Sequence, residues 1–326
     1  MIDLEHALIH AWILDGTGRG SPIAAPDVPA ALAGNASPLW LHLDRSADGL
    51  ASWLAETVHV PEPAVRALLA EDTRPRFEPW GDAALVNLRG VNLNPGADIE
   101  DMLALRLWVT EGLVITFRRF PIMAIRDIDS RLRGGHGPRS IGQIITMAAE
   151  GLTARMAPFL SAMDDEMEAL EDRMEAEEDA EGFDALRPMR RRAGILRRFL
   201  HPQHAAIARL STSDGPWLTE GDRVALRQTA DDVLRFVEDL DSLRERAAGL
   251  MDALDQRQAE RSNRTMYLLT IVAGIFLPLG FLTGLLGINV GGMPGTDSAA
   301  AFWIVCALMV AVVVAEVWYL KWKRWI

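Results

Sequence analysis

The chain has 326 residues, 49% of them apolar and 24% charged, with a formal net charge of −12 and one cysteine. So acidic a chain, with no basic face interleaved with aromatic rings, lacks the electrostatic footprint that a phosphate backbone demands; nucleic acid is disfavoured as a partner and cations are favoured. The single Cys306 excludes an intramolecular disulfide and a cysteine-based zinc site, and leaves the redox compartment open.

In chain order, Asp3 and Glu5 stand where a secretory signal would carry Lys or Arg, so no cleaved targeting segment is expected. Up to residue 140 the short apolar runs AWILDG, PLWLHLD, AALVNLRGVNL and MLALRLWVTEGLVITFRR read as strands, the last as a hairpin closed by Glu111-Gly112; PEPAVRALLAED reads as a helix. This half is expected to be an α/β layer domain, residues 1–140. The glycine-rich run from Gly16 to Ser21 lacks the Lys-Ser/Thr ending of a phosphate loop and is read as a turn.

Residues 141–265 are expected to form a helical stalk region, interrupted at Gly182 and again between Ser211 and Pro216, with Ser213 or Asp214 as an N-cap and Pro216 in the first turn. Val233, Phe236, Leu240, Leu243, Ala247, Leu250 and Leu254 fall at three- and four-residue steps, the pattern of a coiled-coil seam. A helix running from there into the next apolar segment would be on the order of 100 Å long. One small domain cannot cover such a helix, so the seam is expected to join copies of the chain.

Residues 266–290 then run about twenty-five positions without a charge, and residues 299–320 about twenty more with Glu316 as the only one; both match a helix crossing a hydrocarbon core. Arg257, Arg261 and Arg264 precede the first span and Lys321, Lys323 and Arg324 follow the second, whereas the connection between them has no Lys or Arg. By the positive-inside rule both termini are cytoplasmic, with Trp318, Tyr319, Trp322 and Trp325 as interfacial anchors. Two spans enclose no aqueous path by themselves, which again points to several copies around an axis. Gly274, Gly280, Gly284 and Gly287 suit close helix contacts, while Thr270 and Asn289 suit a pore, and Pro278 implies a kink covered by neighbours.

Gly287-Ile288-Asn289, ending one membrane helix and followed by a short loop, a second helix and a basic tail, resembles the Gly-Met-Asn motif of the CorA metal-ion transporters. Phe276-Leu277-Pro278, the run from Phe281 to Asn289 and Gly291-Gly292-Met293-Pro294-Gly295 are more similar to the ZntB branch, associated with zinc, than to the magnesium branch, which carries Met where Ile288 stands and an acid near Gly295. Glu71-Asp72-Thr73-Arg74-Pro75-Arg76 fits the cytoplasmic domain of the same family. The resemblance spans essentially the whole chain. It implies an α+β membrane protein: a funnel-shaped homopentamer with a cytoplasmic α/β domain, long coiled-coil stalk helices and, in residues 266–326, two transmembrane helices per subunit, in a bacterial inner membrane. With its register, Met266, Leu269, Thr270, Ala273 and Leu277 line the pore and Gly287, Ile288 and Asn289 form its mouth, with Asp297 adding negative charge nearby.

The acidic series Asp164, Asp165, Glu166, Glu168, Glu171, Asp172, Glu175, Glu177, Glu178, Asp179 and Glu181 precedes Arg187, Arg190, Arg191, Arg192, Arg197 and Arg198. It is read either as one half of a solvated antiparallel pair or as a face that gathers divalent cations, with the arginines as opposing charge near the membrane. Asp252 and Asp255 are candidate metal ligands. His6 and His10 stand at helical spacing and His201 and His204 three apart, with His42, His59 and His136 alone; no third ligand adjoins either pair, so no permanent zinc site or cofactor is expected. No nucleophile–base pair or nucleotide motif suggests an enzyme. Three functions follow: a zinc transporter, first, with proton-coupled uptake implied by the resemblance; a magnesium or cobalt channel; or a membrane-anchored metal-sensing scaffold.

Overall fold

The computed structural model describes residues 3–34, 37–176, 183–287, 298 and 300–323, and its contacts divide the chain into two units, Met1–Leu250 and Met251–Ile326. In chain order the elements are α1 (Leu4–Ala7), β1 (Leu8–Leu14), β2 (Gly20–Pro22), α2 (Val28–Ala33), β3 (Leu39–Asp44), α3 (Leu50–Glu56), α4 (Glu62–Leu69), β4 (Arg76–Trp80), β5 (Ala83–Gly90), β6 (Leu103–Val109), β7 (Leu113–Arg118), α5 (Met123–Arg133), α6 (Ile141–Ala154), α7 (Ala157–Glu175), α8 (Leu186–Ser211), α9 (Glu220–Gly287) and α10 (Ala301–Trp322).

The first unit is built on a seven-stranded mixed sheet in the order β2-β1-β3-β7-β6-β5-β4. Every run expected to be a strand is one, and β6 and β7 pair antiparallel across Glu111-Gly112. The sequence reading missed β2 and β4, the two edge strands. Each carries a proline, Pro22 and Pro79, which a central strand cannot accommodate because it removes a ladder donor. β3 and β7 pair in parallel, so the chain crosses back over the sheet between them, and one face of the central strands buries Leu41, Leu43, Ile115 and Phe117 with Leu54 of α3 and Leu68 of α4. The turn after β1 is held by Asp15, whose carboxylate accepts from the backbone of Thr17 and Arg19. It is a turn and nothing more.

The start of α9 departs from the sequence reading. Neither Ser213 nor Asp214 caps it; Thr219 and Asp222 do so reciprocally, the Asp222 amide donating to Thr219 Oγ1 and the Thr219 amide to Asp222 Oδ2. This capping box satisfies two helix-end donors, and Pro216 lies before the helix, outside its first turn. A second departure concerns the seam. Leu226, Ala230, Val233, Val237, Leu240, Leu243 and Ala247 are buried, while Phe236, Leu250 and Leu254 are half-covered. The stripe is real but is covered from within the same chain. Arg246 of α9 bridges to Asp164 and Glu171 of α7, Arg197 of α8 reaches Asp241, and His204 of α8 bonds the Ala230 carbonyl. A row already buried in one subunit cannot also be the principal contact between subunits.

Among the described residues α9, whose C-terminal part belongs to the second unit, and α10 are long and apolar enough to cross a membrane, and their most apolar windows are unburied. Pro278 is carried inside α9 and the helix continues beyond it to Gly287.

Candidate functional site

Met266, Leu269 and Leu277 are all more than 60% exposed in the single chain, and Thr270 and Ala273 are exposed as well. The half-covered residues of the same segment are Ile271, Ile275, Leu279 and Leu282. At about 100° per residue these two sets project from opposite sides of the helix. The Thr270 hydroxyl donates to the Met266 carbonyl one turn back, so its proton is satisfied by the helix and its oxygen keeps its acceptor capacity. A Cβ added at Gly274, Gly280, Gly284 or Gly287 would meet nothing within 4 Å, so these positions leave room for another helix to approach. Gly287 closes α9; Ile288 and Asn289, with residues 290–297, lie outside the described residues.

On α10 the half-covered residues are Ala301, Val305, Cys306, Met309, Val312, Val313, Glu316, Val317 and Leu320. Glu316 is the only carboxylate of this helix, and its Oε2 is buried without a hydrogen-bond partner among the described residues. Trp318 and Trp322 stack in parallel at 6.2 Å, with the Lys323 ammonium 5.2 Å from the Trp322 ring. The cation and aromatic rings thus end the helix together, as they do at a membrane interface.

The charged and histidine candidates are distributed differently from the sequence reading. Among the described residues no ion pair joins the α7 acids to the α8 arginines: Asp164 and Glu171 serve Arg246, Arg192 takes Glu100, and the other described acids of α7 are exposed. Where α7 meets α9, Asp239 is raised above the ordinary carboxylate range by burial, then by Asp164 and Glu238. Asp252 and Asp255 are exposed on α9. His6 and His10 do not share a helix, because the chain turns from α1 into β1 between them. His6 pairs with Asp3 on the surface, whereas His10 stacks on His42 with ring centroids 4.7 Å apart. His42 donates to or accepts from Thr116 Oγ1, and burial holds both imidazoles neutral, His10 down to about 4. His204 is committed to a backbone carbonyl. Among the described residues no group of three His, Cys, Asp or Glu is placed to hold a metal ion.

Sequence reasoning missed a cleft of about 820 Å³ in the first unit, between the 91–102 connection, the end of β7 and α8. At its floor Arg45 donates to the carbonyls of Leu69 and Ala70, Arg106 to those of Leu68 and Glu71, and Arg89 to those of Thr73 and Met102. Three guanidiniums therefore tie down the end of α4 and the segment from Glu71 to Thr73, where unpaired helix-end carbonyls favour positive charge. Arg119, Arg191 and Arg198 stand at the rim.

A family model described as CorA-like Mg2+ transporter protein matches residues 35–324. The chain belongs to the CorA-like family. Among CorA-like relatives, a divalent cation transporter, CmaX, of Pseudomonas aeruginosa is 38% identical over 99% of this chain and 98% of that protein. A zinc transport protein, ZntB, of Pectobacterium carotovorum is 35% identical over the same shares of the two chains. Among solved structures, that of full-length CmaX superposes with a TM-score of 0.85 over 98% of this chain and 99% of that one, at 38% identity. The CorA-like fold is thus a mixed sheet with long helices and a C-terminal apolar pair, as the sequence resemblance implied.

Proposed function

We propose that this chain is one subunit of a homopentamer that moves divalent cations, zinc first, across a bacterial inner membrane. The observation that carries the reading is the CorA-like match over residues 35–324, ending in two apolar helices whose most apolar windows are unburied in the single chain. Bare apolar faces of that extent need lipid and neighbouring helices. On this reading residues 1–140 and 141–265 are cytoplasmic, residues 266–326 are embedded in lipid, and both termini face the cytoplasm, as the arginines before the first span and the lysines after the second favour.

In the pore, the exposed face with Met266, Leu269, Thr270, Ala273 and Leu277 turns to the axis, and the apolar rings form its constriction. Asn289, with Gly287 and Ile288, receives a hydrated cation through its amide oxygen; exchange against outer-shell water keeps binding weak enough for release. Asp252, Asp255 and the exposed acids of α7 raise the local cation concentration in the cytoplasm. The ion is cargo, and no permanent cofactor or enzymatic step is invoked.

Zinc is favoured by the ZntB relative and by Ile288 and Gly295, where the magnesium branch carries other residues; the generic naming of CmaX and the magnesium description of the family model support a magnesium-conducting alternative. Purified protein in liposomes, loaded with a zinc-sensitive or a magnesium-sensitive dye, decides between them. Zinc entry that accelerates with an inward proton gradient is the expected outcome. Magnesium flux alone would replace the cargo assignment, and no flux of either ion would leave a membrane-anchored scaffold. Asn289→Ala should assemble and fail to transport; normal uptake by that variant would remove Asn289 from the mouth.

A further inference from the structure

The chain carries a net charge of −12, yet six arginines line the cleft of the first unit against three carboxylates, Glu71, Glu100 and Asp101. One of the three, Glu100, is already engaged by Arg192. The floor arginines spend most of their Nη donors on neutral carbonyls, and among them only Arg89 also meets a carboxylate, the exposed Asp72 at 3.4 Å, so the positive charge is only partly compensated. Arg106 is only 2% exposed, and its Nε, like that of Arg89, is buried without a partner among the described residues. Burial, followed by repulsion from Arg45, Arg89 and Arg76, pushes the Arg106 guanidinium down to about 10. At the rim, no carboxylate among the described residues pairs with Arg119, Arg191 or Arg198, and Arg198 lies instead over the Phe199 ring. Concentrated positive charge with low-dielectric walls and too few carboxylates to balance it favours an anion from outside the chain.

The dimensions narrow the kind of anion. Arg191 and Arg198 are seven residues apart on α8, two helical turns or about 10 Å along its axis, a spacing that suits an elongated anion with more than one charged group. The volume lies within the usual range for a small-molecule site. Arginine forks match phosphate oxygens in pairs. The Phe120 ring, 53% exposed and carrying Arg119 at 5.8 Å, offers a flat face beside the rim. We propose that this cleft binds an anion carrying two or more linked phosphate groups, held at the rim by Arg119, Arg191 and Arg198 over the floor of Arg45, Arg89 and Arg106. The site is independent of the transport reading, because every residue lining it belongs to the first unit.

Titration calorimetry on the full-length protein in detergent tests this directly, with inorganic pyrophosphate, ATP, orthophosphate and sulfate as probes. Chloride is held at physiological concentration, and EDTA is present so that no metal bridges ligand to protein. Pyrophosphate and ATP should bind saturably while orthophosphate and sulfate bind at least tenfold more weakly. Arg191→Glu with Arg198→Glu should weaken pyrophosphate on the order of a hundredfold, about tenfold for each reversed charge. Arg187→Glu, on the same helix but outside the cleft, should change it less than threefold. The milder Arg191→Gln with Arg198→Gln, which should still lose tenfold, guards against misfolding of the first variant. If ATP exceeds pyrophosphate and Phe120→Ala erases the difference, the ligand is a nucleotide; if the two are equal, the phosphate chain alone is recognised. Either result upholds the site. Absence of saturable heat with both probes, unchanged binding in both double variants, or orthophosphate and sulfate binding as well as pyrophosphate would overturn it. So would an acidic peptide binding more tightly than either probe.

Discussion

Leu240 tests whether the apolar row of α9 belongs to one subunit or to an interface. Its side chain is fully buried between α9 and the helices that precede it. Leu240→Ala removes three carbons, about 2.4 kcal/mol of transfer free energy at roughly 0.8 kcal/mol each, and the residual cavity brings the cost to about 3 kcal/mol. For a unit near 250 residues each kcal/mol lowers the melting temperature by about 2–4 °C, so the expected fall is roughly 6–12 °C. Circular dichroism on the detergent-solubilised full chain gives the melt, and native mass measurement gives the assembly. Leu240→Ala should melt early and still form the oligomer at low temperature. Leu277→Ala, at a side chain 71% exposed in the chain, should leave the melt of the first unit unchanged. A Leu240→Ala protein that melts within about 2 °C of wild type but falls apart into monomers would refute the intrachain packing and restore the row as a contact between copies.

The buried imidazole of His10, with a side chain 12% exposed, should make stability pH-dependent. Its folded value of about 4 lies below the ordinary 6.5, so the unfolded chain binds a proton that the native one refuses. The contribution is complete above pH 6.5 and declines as pH falls toward 4, by about 2 kcal/mol at pH 5, and His10→Gln should flatten the urea midpoint over that interval. The Glu171 carboxyl is lowered by its hydrogen bond from Arg246, so its contribution is present above its ordinary 4.5 and is lost as pH falls through the lower folded value. Arg246→Ala should remove that acid sensitivity and cost about 1 kcal/mol in low salt and less in high salt, as melts at two ionic strengths will show. Gly142→Ala should destabilise by about 2 kcal/mol although alanine is the better helix former, because its Cβ would collide with Asp222 Oδ2 and lie 2.7 Å from the Trp217 carbonyl; a variant as stable as wild type by urea denaturation would contradict that contact.

Local chemistry determined much of this protein without any tertiary information. Apolar runs of some twenty residues with at most one charge are satisfied in lipid or in a very large core, so the two C-terminal apolar helices were legible from composition alone. The central strands and the Glu111-Gly112 hairpin were equally legible, because apolar alternation and turn residues act over a few positions. The edge strands were hidden by Pro22 and Pro79, which are compatible with strand only where one side lacks a partner, and edge position is a property of the whole sheet. Periodicity found the α9 row but could not say what covers it: the same three-four spacing serves a partner helix from another copy or α7 and α8 of the same chain, and only the fold brings Asp164 and Glu171 to Arg246. For the same reason the cleft was invisible. Arg45, Arg89, Arg106, Arg119, Arg191 and Arg198 are scattered over more than 150 positions of an acidic sequence, and it is the return of α8 across the sheet that gathers them into one positive surface.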